Sequence, residues 1–108
     1  MEKIVKNTPW GAAQHHEVLA PGIVAYGTAG HGGIRVDKSL QAKIPQCENF
    51  LNSRTWWEED CDWVIPYIVF RDAIQKHGSA YKFNENLSAA YQIAKHYHPN
   101  FFKAYCVK

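Results

Sequence analysis

His31 and the carboxylates of Glu58, Glu59 and Asp60 are the groups in this chain best suited to chemistry. His31 stands in Thr28-Ala-Gly-His-Gly-Gly33, where flanking glycines let the backbone turn tightly and the imidazole project from a loop. The carboxylates belong to residues 55 to 63, Thr-Trp-Trp-Glu-Glu-Asp-Cys-Asp-Trp, which crowd three indoles and four acids into nine positions without a base. Trp favours burial and unpaired Asp and Glu resist it, so such a segment needs donors from elsewhere in the fold or from a ligand. If the glycine loop meets the acidic segment, His31 pairs with Glu58, Glu59 or Asp60. That pair would serve general acid and base catalysis, as in a small hydrolase, or supply two ligands of a metal site completed by His15 or His16. The plainer outcome, and the favoured one, is that His31 donates hydrogen bonds that pin the loop. No His-Glu-x-x-His pattern or other dense ligand spacing is present, so no metal is expected and no catalytic residue is assigned.

The remaining reactive groups carry less. His15 and His16 are neighbours on a predicted strand and must point to opposite faces, so only one can join any single site. Cys61 lies among carboxylates that raise a thiol pKa and oppose thiolate formation, which argues against a nucleophile. Cys47, Cys61 and Cys106 are odd in number, widely spaced and without a Cys-x-x-Cys pair, the pattern of free thiols and not of a disulfide framework or structural zinc. Gly30-His31-Gly32-Gly33 lacks the Gly-Lys-Ser or Gly-Lys-Thr ending of a phosphate loop and leads into a strand, so no cofactor is implied.

The chain has 108 residues, enough for one small domain, 1–108, with a single core. Net charge is +2, and the Lys and Arg are scattered without a run, so direct nucleic-acid binding is disfavoured. No stretch approaches the roughly 18 apolar residues of a membrane span, and the amino-terminal segment lacks the apolar run of a signal peptide. A cytoplasmic protein with no membrane partner is expected. Aromatic residues make up 14% of the chain, so several rings must stay partly exposed; Trp10, Trp56 and Trp57 read first as core, and such rings are also favoured interface anchors. Trp56, Trp57, Glu59 and Asp62 are the expected binding residues, carboxylates steering a protein partner and an indole anchoring it.

The elements that must position these groups form an α+β fold, with a small antiparallel sheet of about three strands in the front half packed on a long acidic-capped helix and a second, C-terminal helix. Ala12 to Leu19 reads as a strand, Ala20-Pro21-Gly22 as a turn, and Ile23 to Tyr26 as the hairpin partner. Ile34-Arg35-Val36 alternates as a third strand with Ile34 and Val36 inward. Asp37 looks like the cap of a turn or two of helix that Ile44-Pro45 ends, with irregular structure or a short helix from Pro45 to Ser53. Thr55 and Glu58 match a capping box, which would place Glu58, Glu59 and Asp60 in the first turn of a helix. Trp63, Tyr67, Phe70 and Ile74 follow as its buried stripe, with Pro66 inside it or opening its regular part and Gly78 as its stop. A last helix is predicted from about Asn86, with Leu87, Ala90, Tyr91 and Ala94 on one face. His98-Pro99 breaks it, and Phe101, Phe102 and Tyr105 fold back as a short helical tail.

Three motifs in order, Thr8-Pro9-Trp10-Gly11, Thr28-Ala-Gly-His31-Gly32-Gly33 and Trp57-Glu58-Glu59-Asp60-Cys61-Asp62-Trp63, resemble an uncharacterised domain family of bacterial, plasmid and bacteriophage proteins. The resemblance spans roughly residues 8 to 75 and implies that the three segments meet in space. Its mobile-element setting implies a small phage-type protein that binds another protein, with inhibition of a host defence complex, of the anti-CRISPR or anti-restriction type, in the host bacterial cytoplasm as the suggested role. The oligomeric state is left open.

Overall fold

The computed structural model describes residues 4–45 and 53–106. Its centre is a four-stranded antiparallel sheet in the order β3-β4-β5-β6, made of β3 (His15–Ala20), β4 (Ile23–Gly27), β5 (Gly32–Val36) and β6 (Trp56–Glu58). A two-stranded ribbon, β1 (Asn7–Thr8) with β2 (Gly11–Ala12), precedes it. The helices are α1 (Val64–Val69), α2 (Arg71–His77), α3 (Phe83–Tyr97) and α4 (Pro99–Phe101), the last running into one wide π turn over Phe102–Cys106. No helix among the described residues is long and apolar enough to cross a membrane.

Strand pairing gives the sheet two faces of different character. Glu17 opposes Ala25, Ala25 opposes Ile34, and Ile34 opposes Trp57, so these four side chains share one face. Ile23, Val36 and Trp57 on that face are at most 1% exposed and pack with Val64, Ile65 and Ile68 of α1, Ile74 of α2 and Ala90 and Ala94 of α3 in one core. On the other face, Tyr26 opposes Gly33 and Arg35 opposes Trp56. These residues lie outside the main core and form an aromatic group with Trp10.

The fourth strand corrects the expected helix cap. Residues 56 to 58 pair with residues 33 to 35 of β5 as a strand, so Thr55-x-x-Glu58 is not a capping box and no acidic residue lies in the first turn of α1. The physical reason is alternation at period two. Trp57 reaches the core while Trp56 and Glu58 turn outward, and burying one indole outweighs a weak capping preference. A tight turn then carries the chain into α1, with the amides of Asp62 and Trp63 both donating to the Glu58 carbonyl, at 3.1 and 2.8 Å.

Smaller departures have similar causes. Ala12 belongs to the ribbon and not to β3, because Gly11, at φ 126°, and Thr8 close a turn: Trp10 N–H donates to Thr8 Oγ1 and Thr8 Oγ1–H donates to the Gly11 carbonyl. Pro66 falls in the first turn of α1, where no amide donor is needed, and the Asp62 carbonyl accepts instead from Ile65 N–H at 3.1 Å. The expected long helix is divided at Phe70, whose φ of −104° and ψ of 21° separate α1 from α2. Trp63 is half-buried, whereas Tyr67, Phe70 and Ile74 are buried, and Gly78 closes α2 in the left-handed conformation at φ 79°. Asp37 caps a 3-10 helix over Lys38–Lys43, accepting from the Ser39 amide at 3.1 Å and hydroxyl at 2.7 Å. The last helix begins three residues before Asn86, at Phe83. The expectation for Pro45 to Ser53, and Cys47 within it, lies largely outside the described residues.

Candidate functional site

The three motif segments do meet, through the sheet. Gly33 pairs with Glu58, Glu59 N–H donates to the Gly32 carbonyl at 2.9 Å, and Trp10 packs over Gly33 and edge-on against Trp56, with ring centroids 5.6 Å apart. Trp56 is half-buried beside Tyr26, with the Arg35 guanidinium 5.9 Å from its ring centroid. His16 tilts against Tyr26 on this face, and His15, on the opposite one, covers Gly27, so the adjacent histidines do diverge.

His31 is exposed at the loop tip and forms no ion pair with a carboxylate among the described residues. The loop is instead pinned by Thr28, whose hydroxyl donates to the His31 carbonyl at 2.8 Å and accepts from the His31 amide at 3.1 Å. Glu58 is half-buried, and Glu59 and Asp60 are exposed. Of the residues expected to bind a partner, Trp57 is 1% and Asp62 5% exposed, which leaves Trp56 and Glu59 at the surface. Among the described residues no group of three His, Cys, Asp or Glu side chains is gathered as metal ligands.

Asp62 is held by a residue the sequence did not single out. His98, at the junction of α3 and α4, places Nε2 3.4 Å from Asp62 Oδ1 and 3.1 Å from the Cys61 carbonyl. The hydrogen bond to Asp62 raises the His98 pKa, burial opposes this, and the Cys61 carbonyl and Asp62 charge add to the rise. Burial, followed by Asp62, Asp60 and Glu58, also pushes the Cys61 thiol up, which opposes its use as a nucleophile.

A cleft of about 220 Å³ opens between the core face of the sheet and the starts of α1 and α3. Its floor is Ala25 and Ile34, its walls include Trp63, Tyr67 and Asn86, and Glu17 and Glu59 bring carboxylates to it. Glu17 Oε2 is fixed by the Tyr81 amide at 3.0 Å. Tyr67 is 3% exposed, and its hydroxyl has no hydrogen-bond partner among the described residues. Burial raises the Tyr67 pKa, the nearby Asn86 amide partly offsets this without a bond of ordinary geometry, and Glu17 adds to the rise. His31 is not among the described lining residues, and none of these is basic. Glu17 left a signal in the sequence, a carboxylate on the inward-facing set of a strand. Tyr67 and Asn86 left none, because their convergence depends on how the helices pack.

Fold and site together define an α+β domain with an aromatic outer sheet face and an acidic cleft beneath the inner one. The chain belongs to a family described as a domain of unknown function, DUF7007, which matches residues 3–108. Comparison with curated proteins and with solved structures found no match.

Proposed function

We propose that this domain acts by binding another protein, as a small phage-type or mobile-element protein whose role is to inhibit a bacterial defence complex. The binding reading rests on one observation: Trp56 is presented half-buried on the outer sheet face, braced by Trp10 and Tyr26, with Glu59 and Asp60 exposed close by in sequence. A braced indole loses little freedom on contact and gives the desolvated anchor that affinity requires, while neighbouring charge steers approach. The defence-inhibitor role rests on the mobile-element resemblance alone. The rival reading, a hydrolase using His31 with Glu58, Glu59 or Asp60, has no ion pair of His31 with these carboxylates among the described residues to support it.

The test is capture from a bacterial lysate by the immobilised domain, followed by binding kinetics on the captured protein. Trp56→Ala is expected to cost about 2 kcal/mol or more through faster dissociation. Glu59→Gln is expected mainly to slow association and reduce its salt dependence. If both folded variants bind as the parent does, the reading fails.

A further inference from the structure

We infer that the cleft between the inner sheet face and α1 and α3 receives a single alkylammonium group, the side chain of a lysine on a protein partner. This rests on the binding reading only for the source of the ammonium. Three observations carry it. Glu17 and Glu59 bring two carboxylates to one cleft with no basic residue among its described lining, and the Tyr81 amide holds Glu17 in place. Tyr67 lines the same cleft, 3% exposed, with a hydroxyl that makes no hydrogen bond of ordinary geometry among the described residues, and buried polar groups are ordinarily satisfied. Trp63, edge-on to Tyr67 with centroids 5.3 Å apart, supplies an aromatic wall of the kind that favours a cation.

Size and composition narrow the ligand. At about 220 Å³ the cleft is smaller than cofactor and drug-like sites, which run from roughly 300 to 1,000 Å³, and suits one side chain. Ala25 and Ile34 give its floor an apolar surface on which a methylene stem can lie, while the charged end meets the carboxylates. An anion would face two like charges, and an uncharged apolar group would leave both carboxylates and the tyrosine hydroxyl without gain.

The probe is Nα-acetyl-lysine methylamide, titrated into the intact domain and followed by NMR at the Trp63 indole N–H and the Tyr67 ring. Nα-acetyl-norleucine methylamide, which keeps the stem and lacks the charge, is the control. Saturable shifts at both residues, with a dissociation constant on the order of 10 mM for so small a ligand, are expected for the lysine compound alone. Glu17→Gln and Glu59→Gln should each weaken it about three- to fivefold, and Tyr67→Phe should weaken it with the fold intact. Equal shifts with the norleucine compound, no saturable shift, or shifts confined to Trp10 and Trp56 would each overturn the inference. With the captured protein, loss of binding in Trp56→Ala but not in Glu17→Gln overturns the cleft while the binding reading stands.

Discussion

Trp10 occupies the space that a side chain at residue 33 would need. A methyl group on Gly33 would clash with the Trp10 indole and with the Trp57 carbonyl, so the ribbon can lie on the sheet only where residue 33 is bare. Gly33→Ala should therefore destabilise the domain by about 1–3 kcal/mol. Trp10→Ala in the same background should recover part of that loss, since only the contact with the backbone remains. Chemical denaturation of the two single variants and the double variant checks this; strictly additive losses would refute it.

Neighbouring tryptophans should give opposite phenotypes. Trp57 is 1% exposed, packs in the main core, and donates its indole N–H to the Arg54 carbonyl at 2.9 Å. Trp57→Ala should cost about 3–5 kcal/mol, a large share of the roughly 5–15 kcal/mol that holds a small domain together. Trp56→Ala should leave most of the stability in place. Thermal unfolding of the pair decides it, and comparable losses would contradict the two-faced sheet.

The Asp62–His98 contact makes stability depend on pH in a stated direction. The folded His98 pKa lies above its unfolded value of about 6.5. Its contribution is therefore fully present below about pH 6.5 and fades as pH rises through the raised folded value. Asp62→Asn should cost about 1–3 kcal/mol at pH 6 and progressively less in more alkaline buffer. Unfolding midpoints of parent and variant across that range test the sign; a gap that widened with pH would reverse it.

Tyr67→Phe should stabilise the domain, by about 1 kcal/mol, because it removes a buried hydroxyl that has no hydrogen bond of ordinary geometry among the described residues. Denaturation measures the gain, and a loss would mean that the hydroxyl is satisfied in solution.

What the sequence revealed follows the range of the interactions concerned. The Asp37 cap, the Gly78 stop and the break at His98-Pro99 depend on residues a few positions apart, and each is legible as a local pattern. The inward set Ile34 and Val36 is legible from alternation. Residues 55 to 58 fit a helix cap locally as Thr-x-x-Glu, while the strand exists only through pairing with β5, some twenty residues earlier in the chain. The site follows the same division. The meeting of the glycine loop with the acidic segment was expected, but its agent is sheet pairing and not His31. Glu17, Tyr67 and Asn86 come together from three distant elements, and no spacing in the chain announces that.

The brevity of β6 limits how any partner can use this sheet. It is an edge strand of three residues, followed at once by the turn into α1, and at the opposite edge the Val18 carbonyl already accepts from the Ser79 hydroxyl at 2.8 Å. Strand addition needs a run of unpaired backbone groups to extend; β6 is too short to offer a long one, and on β3 the Ser79 hydroxyl interrupts the run at Val18. A partner that met this sheet across β6 would therefore be held by side chains, and such contacts are separable by point substitution in a way that a backbone-mediated interface is not.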